Sequence, residues 1–464
     1  MLLATVFDQF VEDSPLSVMA RALLEHALQP GPIDDLFERT ATVQYTDKLL
    51  FSTVVDMMGM VVCGFSDSPH AVYLTRPELF PVALANVYEK LNGIELPVMQ
   101  NLVRDNAARL SEVVAALGGT LPALLPGFRV KILDGNCIAG TEHRIKELRA
   151  IAAAPLPGKT LTVFDPQLGL VTDVFPCEDG HAQERALLGP VLESVQAGEL
   201  WLEDRNFCTV GWLRGVVVGR KAHVLVREHK NLPWTALDEL RYVGRVETGE
   251  VWEQNVILTP EEGTVTAEDG SVFKLRRIVL KLDQPTRDGE TELALLTDLT
   301  AEQADALTLA RLYLKRWQIE TVFQVLTETL QGEHPRRGYP KAALFAYCVT
   351  LVAYNVLAVI KAALRVVHGR EKVQNEVSLH HVTSEIRRTH HGMMIAIRPP
   401  EWLLFRSMSA TELANTLREL ATRVDLAKYK KAPTKPKKPK TPRQFDPQHP
   451  HVSTAKILAG RRKR

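Results

Sequence analysis

Residues 312–330 read LYLKRWQIETVFQVLTETL. At about 100° per residue, with Tyr313 set to zero, Arg316 falls near −60°, Glu320 near −20° and Gln324 near +20°. Leu312, Ile319, Val322, Phe323, Leu326 and Leu330 gather between roughly 180° and 280°. The spacing predicts a helix with one buried face and one polar stripe carrying Tyr313, Arg316 and Glu320. The preceding residues TAEQADALTLAR extend it backwards, with Thr300 as N-cap and acids in the first turn. Alone, Arg316 and Glu320 at i,i+4 amount to a surface ion pair of about 0.2–0.5 kcal/mol. The meaning of the stripe depends on what the rest of the chain brings to it.

Upstream the pattern changes from helical to alternating. FRVKILDGN (128–136) places Phe128, Val130 and Ile132 on one face and predicts a strand ending on Asp134. KTLTVFD (159–165) and LVTDVFPCE (170–178), joined by PQLG, predict a hairpin. HAQERALLGPVLESVQAG (181–198) has helical period with a kink expected at Pro190. ELWLED (199–204) is a short apolar strand that again ends on an acid, and AHVLVRE (222–228) is another strand. The order is a three-stranded meander followed by a crossover. GRVETGEVWEQNVIL, GTVTAEDGSVFKLRRIVLKL and TELALLTDL continue as β-type runs before the long helix.

The whole chain has 464 residues, enough for two or three domains, with 45% hydrophobic and 24% charged residues. Its five cysteines are widely spaced and form no CxxC pair, so neither a zinc ribbon nor a disulfide framework is suggested, and a reducing cytosol fits. Asp8, Glu12 and Asp13 interrupt the N-terminal apolar residues, so no secretory signal is expected. Residues 342–360, AALFAYCVTLVAYNVLAVI, run 19 positions without a charge, close to the ~20 that span a bilayer. Asn355, Thr350, two tyrosines and many alanines favour a buried core helix. His380–His381 and His390–His391 lack acidic neighbours, and EIRRTHHG reads as a basic helix end at Gly392 rather than a metal site. LPGKTLT lacks the spacing of a phosphate loop, so no nucleotide site is expected.

Net charge +1 conceals an asymmetry. From Lys428 to Arg464 there are 13 Lys/Arg against the single acid Asp446, a net +12, leaving −11 on the preceding 427 residues. A Pro/Lys-rich tail of this kind predicts an extended, disordered basic arm that attracts polyanions, nucleic acid above all.

Asp134, Asp204 and Glu320 make a candidate three-carboxylate site, built from two strand ends and a helix. Glu203 adjoins Asp204 and either could contribute, with Asp204 preferred because it begins the polar turn DRNF. Converging carboxylates repel unless a cation joins them. Hard Mg²⁺ or Mn²⁺ suits such donors, and two ions about 3.5–4 Å apart support in-line displacement at phosphorus.

YLKRWQIET closely resembles the Tyr-x2-Arg-x3-Glu signature of DDE transposases of the insertion-sequence 4 type, and ILDGN and WLEDRNF resemble the blocks around that family's two catalytic aspartates. The likeness runs from about residue 35 to 365. It implies an α/β fold: a ribonuclease H-like core with a mixed five-stranded sheet and helices, interrupted by a β-rich insertion. Helical N- and C-terminal regions flank it. The expected division is a helical DNA-binding region (1–120), the catalytic core (121–228 and 291–365), the insertion (229–290), a helical region (366–428) and a disordered basic tail (429–464).

The resemblance also implies roles. Asp134, Asp204 and Glu320 would be the metal-binding catalytic triad, with two Mg²⁺ ions, replaceable by Mn²⁺. Tyr313 and Arg316 would contact element-end DNA, Arg316 through a phosphate. Where the family has a lysine seven positions after the glutamate, this chain has Thr327, so Lys315 or Arg336 would have to supply the missing cation. In relatives that excise through a hairpin, an insertion aromatic stacks on a flipped base, a role open to Trp252. The implied activity is cut-and-paste DNA transposition: cleavage at insertion-sequence ends and strand transfer into target DNA. The implied partners are double-stranded DNA (terminal inverted repeats and target) and a second copy of the chain in a DNA-bound homodimer, in the cytoplasm and at the nucleoid, with no membrane. The competing readings are a structure-specific nuclease or resolvase on the same core, and a catalytically decayed DNA-binding relative.

Overall fold

The computed structural model describes residues 4–46, 48–138, 145–148, 154–258, 273–286, 289–332, 338–432 and 451–461. In chain order its strands are β1 (Arg129–Ile138), β2 (Ala154–Leu156), β3 (Gly158–Asp165), β4 (Leu170–Cys177), β5 (Glu199–Glu203) and β6 (His223–Arg227). The remainder are β7 (Trp234–Ala236), β8 (Arg241–Val246), β9 (Gly249–Leu258), β10 (Lys274–Leu282), β11 (Glu292–Thr297) and β12 (His451–Ser453).

Ten of them form one mixed sheet in the order β4-β3-β1-β5-β6-β11-β10-β9-β7, with β8 paired to β9. β3 runs antiparallel to β1, whereas β1, β5 and β6 are mutually parallel. With β4, which pairs antiparallel to β3, these five strands are the mixed core sheet that the meander and crossover predict, and the β3–β4 hairpin closes as expected at Gly169, whose φ of +75° suits glycine. β11 returns from the β-rich segment and pairs with both β6 and β10. The insertion therefore prolongs the core sheet and leaves no exposed edge at β6.

Period-two alternation decides which residues reach which side. Val130 and Ile132 of β1 face a core shared with the helices, while Leu133 faces a second cluster with Trp201, Trp212 and Val224. The apolar segment singled out in the sequence lies in a helix, Pro340–His368, that runs through the first of these cores, and its most apolar window is wholly buried. Two of its polar residues, Thr350 and Asn355, are satisfied. Thr350 donates to the Ala346 carbonyl, and the Asn355 amide both accepts from and donates to the backbone of Val171 on β4. Around this helix pack Leu96–Ala116, Phe51–Val62 and Ala410–Thr422.

Five local expectations are corrected. Asp134 does not end its strand, because β1 continues to Ile138 with Asp134 opposite Thr162 of β3. Thr300 caps only a short turn, with Gln303 N donating to its hydroxyl; the helix begins after Asp305, whose carboxylate accepts from Thr308 N at 2.7 Å. Residues 181–198 hold a 3₁₀ turn, Glu184–Leu187, and a short helix, Leu188–Ser194, with Pro190 in its first turn, where the missing N–H costs nothing. The helix through the histidine pairs passes Gly392 and ends at Ala396. Finally, part of the tail is ordered: β12 pairs in parallel with β2, Thr454–Arg461 is helical, and Lys456 meets Asp179 at 2.9 Å.

Candidate active site

β1 and β5 are parallel, with Leu133 beside Glu203. One step further along lie Asp134 and Asp204, where β5 ends and the chain turns into Arg205–Phe207. Alternation then separates the two neighbouring acids. Glu203 is fully buried on the second core's side, where its carboxylate accepts from Trp212 Nε1 at 2.7 Å. Burial pushes Glu203 up to about 8. Asp204 belongs to the other side, where its charge acts on Asp134, Tyr313 and Arg316.

The third acid arrives on an irregular helix. Ala306–Tyr313 is α-helical, Leu314–Trp317 tightens to 3₁₀, Gln318–Gln324 is α-helical again, and Val325–Thr329 widens to a π turn. In a 3₁₀ turn side chains three apart eclipse. Tyr313 and Arg316 therefore point the same way, inward: they are 4% and 8% exposed, and the guanidinium carbon lies 5.9 Å from the tyrosine ring centroid. The expectation of a solvent-facing stripe holds for Glu320, which is exposed, and not for these two.

Arg316 is the hub. Its Nη1 donates to Asp134 Oδ2 at 2.7 Å and its Nη2 to Glu320 Oε1 at 3.5 Å. The other Asp134 oxygen accepts from Gly135 N at 2.8 Å. Burial pushes the Asp134 carboxyl up to about 6; Arg316 and the Gly135 amide oppose the rise, while Asp204 and Glu184 add to it.

Glu184 is an acid that sequence reasoning missed. A Cβ on Gly135 would run into its carboxylate, so the glycine makes room for it, and its second oxygen accepts from Asn206 Nδ2 at 3.2 Å. Nothing in HAQERALLG marks it, since the proximity is created by the sheet. Three carboxylates, Asp134, Asp204 and Glu320, thus act on one buried arginine, and Glu184 acts on Asp134. All the donors are hard oxygens and carry more negative charge than Arg316 neutralises, which is the chemistry a divalent cation answers. Among the described residues, no three acidic, histidine or cysteine groups stand close enough to hold a metal ion as they lie. What the structure presents is the arginine-bridged arrangement.

The remaining candidates are dispersed. Lys315 is exposed beside the hub. Thr327 spends its hydroxyl on the Phe323 and Gln324 carbonyls of its own helix. Trp252 packs edge-on to Tyr242 at 5.4 Å with Lys281 Nζ 4.3 Å from its ring centroid. Arg336 lies outside the described residues. His390 stacks on Phe65 with centroids 3.6 Å apart.

Residues 127–356 match the family model described as the transposase DDE domain. No curated protein matches the chain. Among solved structures, it is similar to a piggyBac transposase synaptic complex with hairpin DNA, at 9% identity, covering 83% of this chain and 81% of that one, with a TM-score of 0.38.

Proposed function

We propose, from the match of residues 127–356 to the transposase DDE domain model, that the chain is a cut-and-paste DNA transposase of the insertion-sequence 4 type. The observation that carries the reading is the gathering of Asp134, Asp204 and Glu320, from two neighbouring parallel strands and one helix, around Arg316. Family members use divalent metal ions. Here Asp134, Asp204 and Glu320 would hold Mg²⁺ or Mn²⁺, which when bound would activate a water or a DNA 3′-hydroxyl as nucleophile and stabilise the leaving oxygen.

The chain's own residues divide the rest of the work. Tyr313 walls the site and holds Arg316 inward. Arg316 exchanges its carboxylate partners for a DNA phosphate, a bidentate partner suited to a planar guanidinium. Glu184 adds negative charge beside Asp134. The N-terminal helices recognise element ends, the basic tail adds salt-dependent attraction to any duplex, and two chains hold two ends together. The protein works in the cytoplasm, on the nucleoid.

The test uses the gene with its native flanking DNA on a plasmid, in Mg²⁺, comparing wild type with Glu320→Gln. Breaks leaving 3′-hydroxyls at paired ends, absent in the variant, are the expected result. Cuts on branched DNA regardless of end sequence would replace the transposase with a nuclease. Binding to the ends without cleavage would mark a decayed enzyme, with Thr327 the first residue to revert to lysine.

A further inference from the structure

On the helix Pro340–His368, Tyr354, Ala358, Lys361 and Arg365 follow one another at three- and four-residue spacing and share a face. Ala358 is the small member of the row. The space beside it is a cavity of about 130 Å³, well above the ~10–15 Å³ that admits a single water. Gln318 and Thr321, from the helix that carries Glu320, close one side of the cavity, and Gln374 lines another.

The charges here are unbalanced. Lys361 and Arg365 are like charges one turn apart, an arrangement that opposes folding unless something neutralises it. Among the described residues no carboxylate lines the cavity, and neither cation has an acidic partner. Arg365 is 9% exposed; its Nη2 donates to the Gly119 carbonyl at 3.3 Å, and its Nε has no partner among the described residues. A buried guanidinium N–H without an acceptor costs the full desolvation of that group. Burial, with Arg365 and Lys431 nearby, lowers the Lys361 ammonium to about 8. Two cations, a phenol hydroxyl and two side-chain amides offer many donors to a single small volume. A compact anion with several oxygens answers all of them.

We infer that this cavity is a phosphate-binding site, with Lys361 and Arg365 as its charged ligands and Tyr354, Gln318 and Gln374 as neutral donors. It is separate from the Asp134 cluster: Gln318 and Thr321 face it from a different side of the helix than Glu320. The phosphate group belongs either to a DNA backbone or to a free small phosphate. Only the first source rests on the transposase reading.

The test titrates the full chain with inorganic phosphate, followed by ³¹P NMR line broadening, for wild type, Lys361→Gln, Lys361→Arg and Arg365→Gln. Saturable binding in wild type, retained by Lys361→Arg and weakened at least about tenfold by Lys361→Gln, is expected from the loss of one charge-assisted hydrogen bond. Arg365→Gln also removes the bond to Gly119, so Lys361→Gln, whose side chain holds no such backbone contact, decides the outcome if Arg365→Gln fails to fold. Absence of saturable binding, or equal binding in wild type and Lys361→Gln, overturns the inference. A duplex oligonucleotide then distinguishes the sources. If it displaces phosphate, and Lys361→Gln reduces the slope of log affinity against log salt by about one, the ligand is a backbone phosphate. If the duplex leaves bound phosphate in place, the ligand is a free phosphate. Failure of end cleavage in the plasmid assay leaves this titration untouched, so the two readings stand or fall separately.

Discussion

Glu203 and Asp204 are chemically similar neighbours with opposite surroundings. Glu203 is sealed against Trp212, with burial holding its carboxyl up at about 8, so it is neutral at pH 7. Asp204 shares the side of Asp134 and Arg316. We therefore expect Asp204→Asn to lower cleavage at element ends by on the order of 10²-fold or more, the scale seen when an electrostatic group at a reacting centre is lost. Glu203→Gln, an isostere of the protonated acid, should cleave within about twofold of wild type and melt no lower. Equal losses in both variants would remove the distinction between the two acids. At this scale the sequence was informative where pattern carried the information: a short apolar run ending in LED, and the Tyr-x2-Arg-x3-Glu spacing. Glu184 was invisible because its place beside Asp134 depends on a glycine 49 positions away that has no side chain to exclude it.

Elements were legible where local chemistry acts alone. The β3–β4 hairpin, β5 and β6 follow from alternation and turn residues, and the buried helix Pro340–His368 from its apolar run. The helix carrying Glu320 was drawn as one regular cylinder, and there the reading failed. A wheel at 100° per residue cannot anticipate a 3₁₀ turn followed, about two helical turns later, by a π turn. That irregularity turns Tyr313 and Arg316 into the protein while leaving Glu320 at the surface. The insertion offers a check on element pairing. Gly249 opens β9 opposite Leu282, and a Cβ there would overlap the Lys281 carbonyl oxygen, a backbone atom that no rotamer change can move. Gly249→Ala should destabilise the protein by about 2–4 kcal/mol, read as a lower urea midpoint, since strain of this kind belongs to the large-effect class. An unchanged midpoint would mean that β9 and β10 do not meet as described. Because β10 and β11 continue into β6, the loss should appear in the whole unfolding transition rather than as a separate early step.

At the scale of the molecule, the two ends of the chain close over the central helix. Ser14 donates to Glu385, Glu25 accepts from both Arg21 and Arg406, and Arg387 Nε donates to the Cys63 carbonyl. Apart from Arg21–Glu25, an i,i+4 pair, these contacts are long-range and not encoded in local spacing, so the sequence could describe helical ends without showing that they join. His390 sits in this seam, 7% exposed and stacked on Phe65. Burial lowers its imidazole to about 3, with Arg21, Arg76 and His391 pressing in the same direction. In the unfolded chain the same imidazole titrates near 6.5. Above pH 6.5 neither state carries the proton and folding loses nothing. As the pH falls below 6.5 the unfolded chain takes up a proton that the folded seam refuses. Stability then declines, by up to about 2 kcal/mol at pH 5, and levels off near pH 3. His390→Phe keeps a ring against Phe65 and removes the proton site. Its Tm should fall less than that of wild type between pH 7 and pH 5. If both proteins lose the same number of degrees over that interval, the seam is not closed around a neutral histidine, and the joining of the two ends through it is wrong.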